Sequence, residues 1–184
     1  YKERESGLSP IFRSCRNGRQ RLYFTRLLFS CVCSVVVFVL FTVAELYAVS
    51  GDGIFEHLHT PAASLKILMS FGAMPIGRVI IQMYAMRLAA AVCIALITFA
   101  LSVCFDSIFL VLAPAAGWIF ISFALRRLGV IVLPADLSAF LSGSALFIAE
   151  GEGAWLSMVP LLIITVIAVF YSYKKYTISG RRIL

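Results

Sequence analysis

Glu45 is the single charge in an otherwise apolar run, residues 27–49. A carboxylate inside such a run is a candidate path-lining or proton-sensitive group. Its place in the last quarter of the run favours the plainer alternative, a side chain reaching the interface near Tyr47. Arg87 heads the next uncharged run, 88–105, where it can meet an anionic substrate or, as the commoner arrangement, anchor a helix at an interface. Glu56-His57 with His59 has the look of a small metal cluster, but alternating imidazoles without a third firm ligand suit an ordinary solvated loop, and no metal is expected. The apolar runs hold one carboxylate and no histidine. That argues against a membrane protease or lipid phosphatase, which needs paired acids, histidines or an activated nucleophile close together. No catalytic residue is therefore assigned.

The polar segment ahead of the first apolar run carries more pattern. Ser9-Pro10 is a helix start, a hydroxyl cap followed by proline at the first helical position, and Asn17-Gly18 is a stop. The two turns between them project Ile11 and Phe12 beside Arg13 and Arg16, while Glu3 and Glu5 lie near the positive end of the helix. One reading is a basic segment drawn to anionic lipid. The other is a docking knob for a cytoplasmic partner, for which the acidic lead, the Gly7 break and the capped helix would each have a use.

These residues need elements to hold them. Of 184 residues, 61% are hydrophobic and only 14% charged, which excludes a water-soluble globule. The expected fold is all-α, a polytopic helical membrane protein with about four transmembrane helices, at 27–49, 88–105, 107–125 and 155–173. The valines at 35–37 favour a strand in water, but a lone strand in lipid leaves its backbone unsatisfied, so helix wins. Residues 76–87 read as an interfacial helix leading into the second span. Asp106 marks a tight turn, Arg126-Arg127 an end, and Pro160 a kink in the last span. Residues 137–149 are apolar but too short to cross, so a re-entrant or interfacial segment is expected there; Ser142-Gly143-Ser144 would let it pack closely. The five cysteines, four of them in apolar runs, read as small hydrophobes.

Lys and Arg number 16 against nine acids. Eleven of the 16 fall in residues 1–26 and after Tyr173, and five on the opposite side, so the positive-inside rule makes both ends cytoplasmic. The excess is read as topology, and no nucleic-acid partner is expected. The organisation is then a cytoplasmic segment 1–26, a transmembrane domain 27–173 and a basic tail 174–184. The start at Tyr1, without an initiator Met, leads us to expect the C-terminal part of a longer chain.

Glu5-Ser6-Gly7, Arg13-Ser14-Cys15-Arg16-Asn17-Gly18-Arg19, and Arg26-Leu27-Leu28 at the head of a span together resemble the coupling-helix region of type-2 ABC transporter permeases, particularly those of Gram-positive bacteria. The order continues downstream with a Pro-containing outer loop, Arg87 heading a span, and Leu101-Ser102 before the turn at Asp106. Arg26 stands where the family usually has Lys, and Leu8 where it has Thr or Met. The resemblance implies a permease subunit of an ATP-driven exporter in a bacterial plasma membrane. Glu3, Glu5, Gly7, Ile11, Phe12, Arg13, Arg16, Gly18 and Arg19 would dock a separate ABC ATPase subunit, and a second permease copy or a homologous permease would complete the path, with Glu45 and Arg87 as its candidates. The chain holds no Gly-x-x-x-x-Gly-Lys-Ser/Thr loop, so ATP and Mg belong to the partner and no cofactor is expected here. The alternative function is a stand-alone small channel or accessory protein whose basic ends bind membrane lipid.

Overall fold

Long uninterrupted apolar stretches can satisfy their own backbone only as helices, and helices are what they form. The computed structural model describes residues 18–50, 57–65, 68, 71–105, 107–128, 137–142, 144–145 and 153–178. Its helices are α1 (Gly18–Ser50), α2 (Ile76–Cys104), α3 (Ile108–Arg127), α4 (Leu137–Ser142), α5 (Gly153–Ser157) and α6 (Val159–Ile178), with a 3-10 turn at Ala62–Ser64. No strand occurs among the described residues. Three helical stretches, Gln20–Ser50, Ile76–Cys104 and Trp155–Thr177, are long and apolar enough to cross a membrane, and Phe109–Leu125 is a shorter apolar helix.

The stretch read as an interfacial approach and the span after it are one continuous helix of 29 residues. No proline or glycine interrupts it beyond Gly77, and Arg87 does not end it because its charge is neutralised in place, as described below. At about 1.5 Å per residue α2 is roughly 43 Å long, more than the 30 Å or so of a hydrocarbon core. The turn expected at Asp106 falls in a three-residue connection between Cys104 and Ile108, although Asp106 itself lies outside the described residues. Pro160 acts one position earlier than a mid-helix kink would. Without an N–H to continue the helix from Leu156, the chain breaks at Met158 and restarts at Val159, and the Leu162 N–H then bonds the Met158 carbonyl at 3.0 Å.

The core runs along α2. Ile76, Val79, Met86, Ala90, Cys93 and Ala100 are buried, with Met83 and Ile97 packed in the same row, so the buried positions alternate by three and four along the whole helix. That spacing is the seam of a left-handed helix pair. Met158, just ahead of α6, and Leu161 and Thr165 of α6 are buried alongside it, and α2 and α6 form the most extensive helix contact. Phe140 and Ala145, both fully buried, belong to the same core, against which Trp118 and Ile119 of α3 pack. Residues 137–142 form a helix of six residues.

Residues 57–65 and 71–75 fold back over the start of α2. The N–H groups of Ile76 and Gly77, which a helix N-terminus leaves unpaired, donate to the Thr60 and Leu58 carbonyls at 3.0 and 2.9 Å. Ala62 and Ala63 donate to Met74 and Gly72 at 2.7 and 3.1 Å, and Pro61 bridges Pro75. The return requires Gly72 at φ 58, a left-handed conformation. Gly72→Val is expected to cost about 1–2 kcal/mol and to speed amide exchange at Ala62 and Ala63 about 5–30-fold. Unchanged exchange there would show that the turn does not hold the cap.

Candidate functional site

Glu45 lies on α1 five residues before the helix ends, and Arg87 lies in the interior of α2, 42 positions later. Antiparallel packing brings them together. One Arg87 terminal nitrogen donates to both Glu45 carboxylate oxygens, at 2.8 and 3.1 Å. The Arg87 Nε donates to the Leu141 carbonyl of α4 at 2.8 Å. The guanidinium also lies over the Tyr84 ring, 5.4 Å from its centroid. Arg87 therefore fastens three elements at once: the α1 carboxylate, the short helix α4 and its own helix. Its planar fork makes this geometry; a lysine ammonium would reach one partner at a time.

The side chains of Arg87 and Glu45 are 20% and 43% exposed, so the pair opens onto the surface of the bundle. Glu45 is the sole carboxylate among the described residues. Glu45, expected to reach an interface beside Tyr47, has a specific partner in Arg87, and Tyr47 is itself 82% exposed. Both candidates read from sequence are thus brought to one place, and Tyr84 and the Leu141 carbonyl join them unannounced. A main-chain carbonyl leaves no residue-type signal, but Tyr84 precedes Arg87 by three positions and shares its face.

A second cluster ties the opposite end of the bundle. Tyr23 is 1% exposed, its hydroxyl lies 2.7 Å from the Ser172 hydroxyl, and it donates to the Val169 carbonyl at 3.0 Å. Its ring packs edge-on against Phe99 and Tyr173, with centroids 5.4 Å apart in each case. Gln20 donates to the Tyr173 hydroxyl, and Lys175 donates to the Cys104 carbonyl at 2.7 Å, capping the C-terminus of α2 with a cation. The start of α1 is thereby joined to the ends of α2 and α6. Sequence reading missed Tyr23; it sits among basic residues, where nothing distinguishes a buried phenol from an exposed one.

Between these two ties α1 and α2 leave a groove of about 670 Å³, bounded by Ser30, Ser34 and Phe41 on one side and by Ala95, Thr98 and Ser102 on the other. Elsewhere the helix hydroxyls turn inward to their own chain: Thr165 bonds Leu161 and Ser122 bonds Trp118. Among the described residues no buried side-chain nitrogen or oxygen lacks a partner.

Of the docking residues expected from sequence, Glu3, Glu5, Gly7, Ile11, Phe12, Arg13 and Arg16 lie outside the described residues. Gly18 opens α1, and the Arg19 backbone continues it. His57 and His59 are exposed, and no group of three or more metal-binding side chains occurs among the described residues. Comparison with protein-family models, curated proteins and solved structures finds no match to the chain.

Proposed function

We propose that this chain is a bilayer-embedded permease subunit of an ATP-driven exporter, paired with a second permease and receiving motion from a separate ATPase through residues 3–19. Both its ends face the cytoplasm, as the distribution of Lys and Arg indicates. One observation carries the reading. The helix that opens at Gly18, within the last two residues of the expected docking segment, is pinned in its first two turns to two other long helices by the buried Tyr23. A displacement of residues 3–19 would reach α2 and α6 through a rigid contact instead of being lost in a flexible joint. At the other end, the Arg87 clasp gives α1, α2 and α4 an arrangement that can be made or broken as a unit. The chain hydrolyses nothing in this reading; it conducts.

The test is purification of the full chain in detergent, with and without Ile11→Asp plus Phe12→Asp, scored for a co-purifying ATPase. A stoichiometric ATPase lost in the variant is the expected result. An absent ATPase, or one indifferent to the substitutions, would overturn the reading and leave a stand-alone channel or accessory protein.

A further inference from the structure

α1 runs for 33 residues without a proline, and its one glycine, Gly18, is its first residue, so nothing in its interior provides a kink and it moves as a rod. Its polar contacts with the rest of the bundle gather near its two ends. Gln20 and Tyr23 reach Tyr173, Val169 and Ser172 of α6, and Glu45 reaches Arg87 of α2. Between these ends the packing is shallow. Leu27, Cys31, Ser34, Phe38, Thr42 and Leu46 recur every three or four residues along one face, and each is only half-buried. Ser34 and Phe38 of that face line the groove shared with α2. Among the described residues of α1, Tyr23 alone is buried.

The two ends differ in kind. At the first, a phenol is enclosed by rings from α2 and α6 with its hydroxyl bonded inside the bundle, so withdrawing it would empty a buried site. At the second, two charged side chains meet at a partly exposed surface, where separated ions regain solvation and the pair holds less firmly than a buried one. Withdrawal of Glu45 does not strip Arg87 either, since its Nε keeps the Leu141 carbonyl and the guanidinium keeps the Tyr84 ring. Glu45 lies 22 residues beyond Tyr23 on the same helix, about 33 Å along the rod. A tilt of about 10° about Tyr23 would carry Glu45 roughly 6 Å away from α2.

We infer that α1 is a hinged arm, pivoting at Tyr23 and latched at its far end by the Glu45–Arg87 pair, and that release of the latch widens the α1–α2 groove toward that end while α2, α4 and α6 stay together. The inference rests on the bilayer part of the proposed function, which it deepens by naming the element that moves, and it needs no ATPase partner. In the latched form the groove is the one of about 670 Å³ described above.

The test places nitroxide pairs on the full chain in phosphatidylcholine nanodiscs, with its five native cysteines replaced by alanine. Tyr47→Cys with Ile81→Cys reports the latch end, and Arg21→Cys with Lys174→Cys the pivot end; all four positions are exposed. With Glu45 present, a single short distance is expected at each end. In Glu45→Ala the 47–81 distance is expected to lengthen by about 5 Å while the 21–174 distance stays as it was. Circular dichroism checks helix content, and if Glu45→Ala loses it, Glu45→Gln decides instead: it keeps one hydrogen bond to Arg87 and is expected to populate the longer 47–81 distance in part. An unchanged 47–81 distance in the variant that keeps its helices would overturn the latch, because packing alone would then hold α1. Lengthening at both ends would overturn the pivot. Failure of the chain to enter nanodiscs would overturn the bilayer reading, whereas an ATPase missing from the purification leaves the hinge standing.

Discussion

Arg87→Met is expected to destabilise the bundle by about 2–3 kcal/mol, below the usual 3–5 for a buried pair because Glu45 keeps part of its surface exposed. Two groups lose their donor together. Glu45 loses its guanidinium partner against apolar helices, and the Leu141 carbonyl loses the Arg87 Nε. Glu45→Ala removes one partner and leaves Arg87 on Leu141, so a smaller loss, about 1–2 kcal/mol, is expected. Glu45→Gln still accepts a hydrogen bond and should cost least. Exchanging the two residues restores an ion pair across α1 and α2 but not the bond to Leu141, so the double variant should recover part of the loss and no more. Unfolding in mixed micelles across the four variants gives the order directly. Equal losses for Arg87→Met and Glu45→Ala would mean that the Leu141 bond contributes nothing.

Tyr23→Ala is expected to be the most damaging single truncation, at about 3–5 kcal/mol, because it empties a fully buried site between three helices. Tyr23→Phe keeps the ring contacts and loses only the hydroxyl, and hydrogen bonds between apolar helices average well under the 2 kcal/mol of model peptides, so about 1 kcal/mol is expected. The same micelle unfolding separates them, and a distance probe between the start of α1 and the end of α6 should lengthen only in Tyr23→Ala. If Tyr23→Phe were as damaging as Tyr23→Ala, the tie would be the hydroxyl pair with Ser172 and the ring would be incidental.

The helical architecture and several boundaries were legible in the residues because they follow from apolar length, proline and charge. The end of α3 at Arg127, the short connection around Asp106 and the interruption ahead of Pro160 all have such causes. The continuity of α2 was less visible, since an isolated arginine reads as a boundary until its partner is known. The buried row from Ile76 to Ala100 was also obscure. In a helix apolar on every side, the contrast that marks an inward face in water is missing, and only the alternation by three and four remains. Glu45 and Arg87 drew notice separately as charges in apolar surroundings. Their pairing depended on antiparallel register, which no spacing within either helix records.

The tie at Tyr23 has a consequence for synthesis. Its Val169 acceptor lies 146 residues further along the chain, so at about 5–20 residues per second it emerges roughly 7–30 s after the tyrosine. Throughout that interval α1 has no α6 to rest on. The start of α1 is thus fastened late on this side, since 146 further residues must be made before it acquires its neighbour on α6.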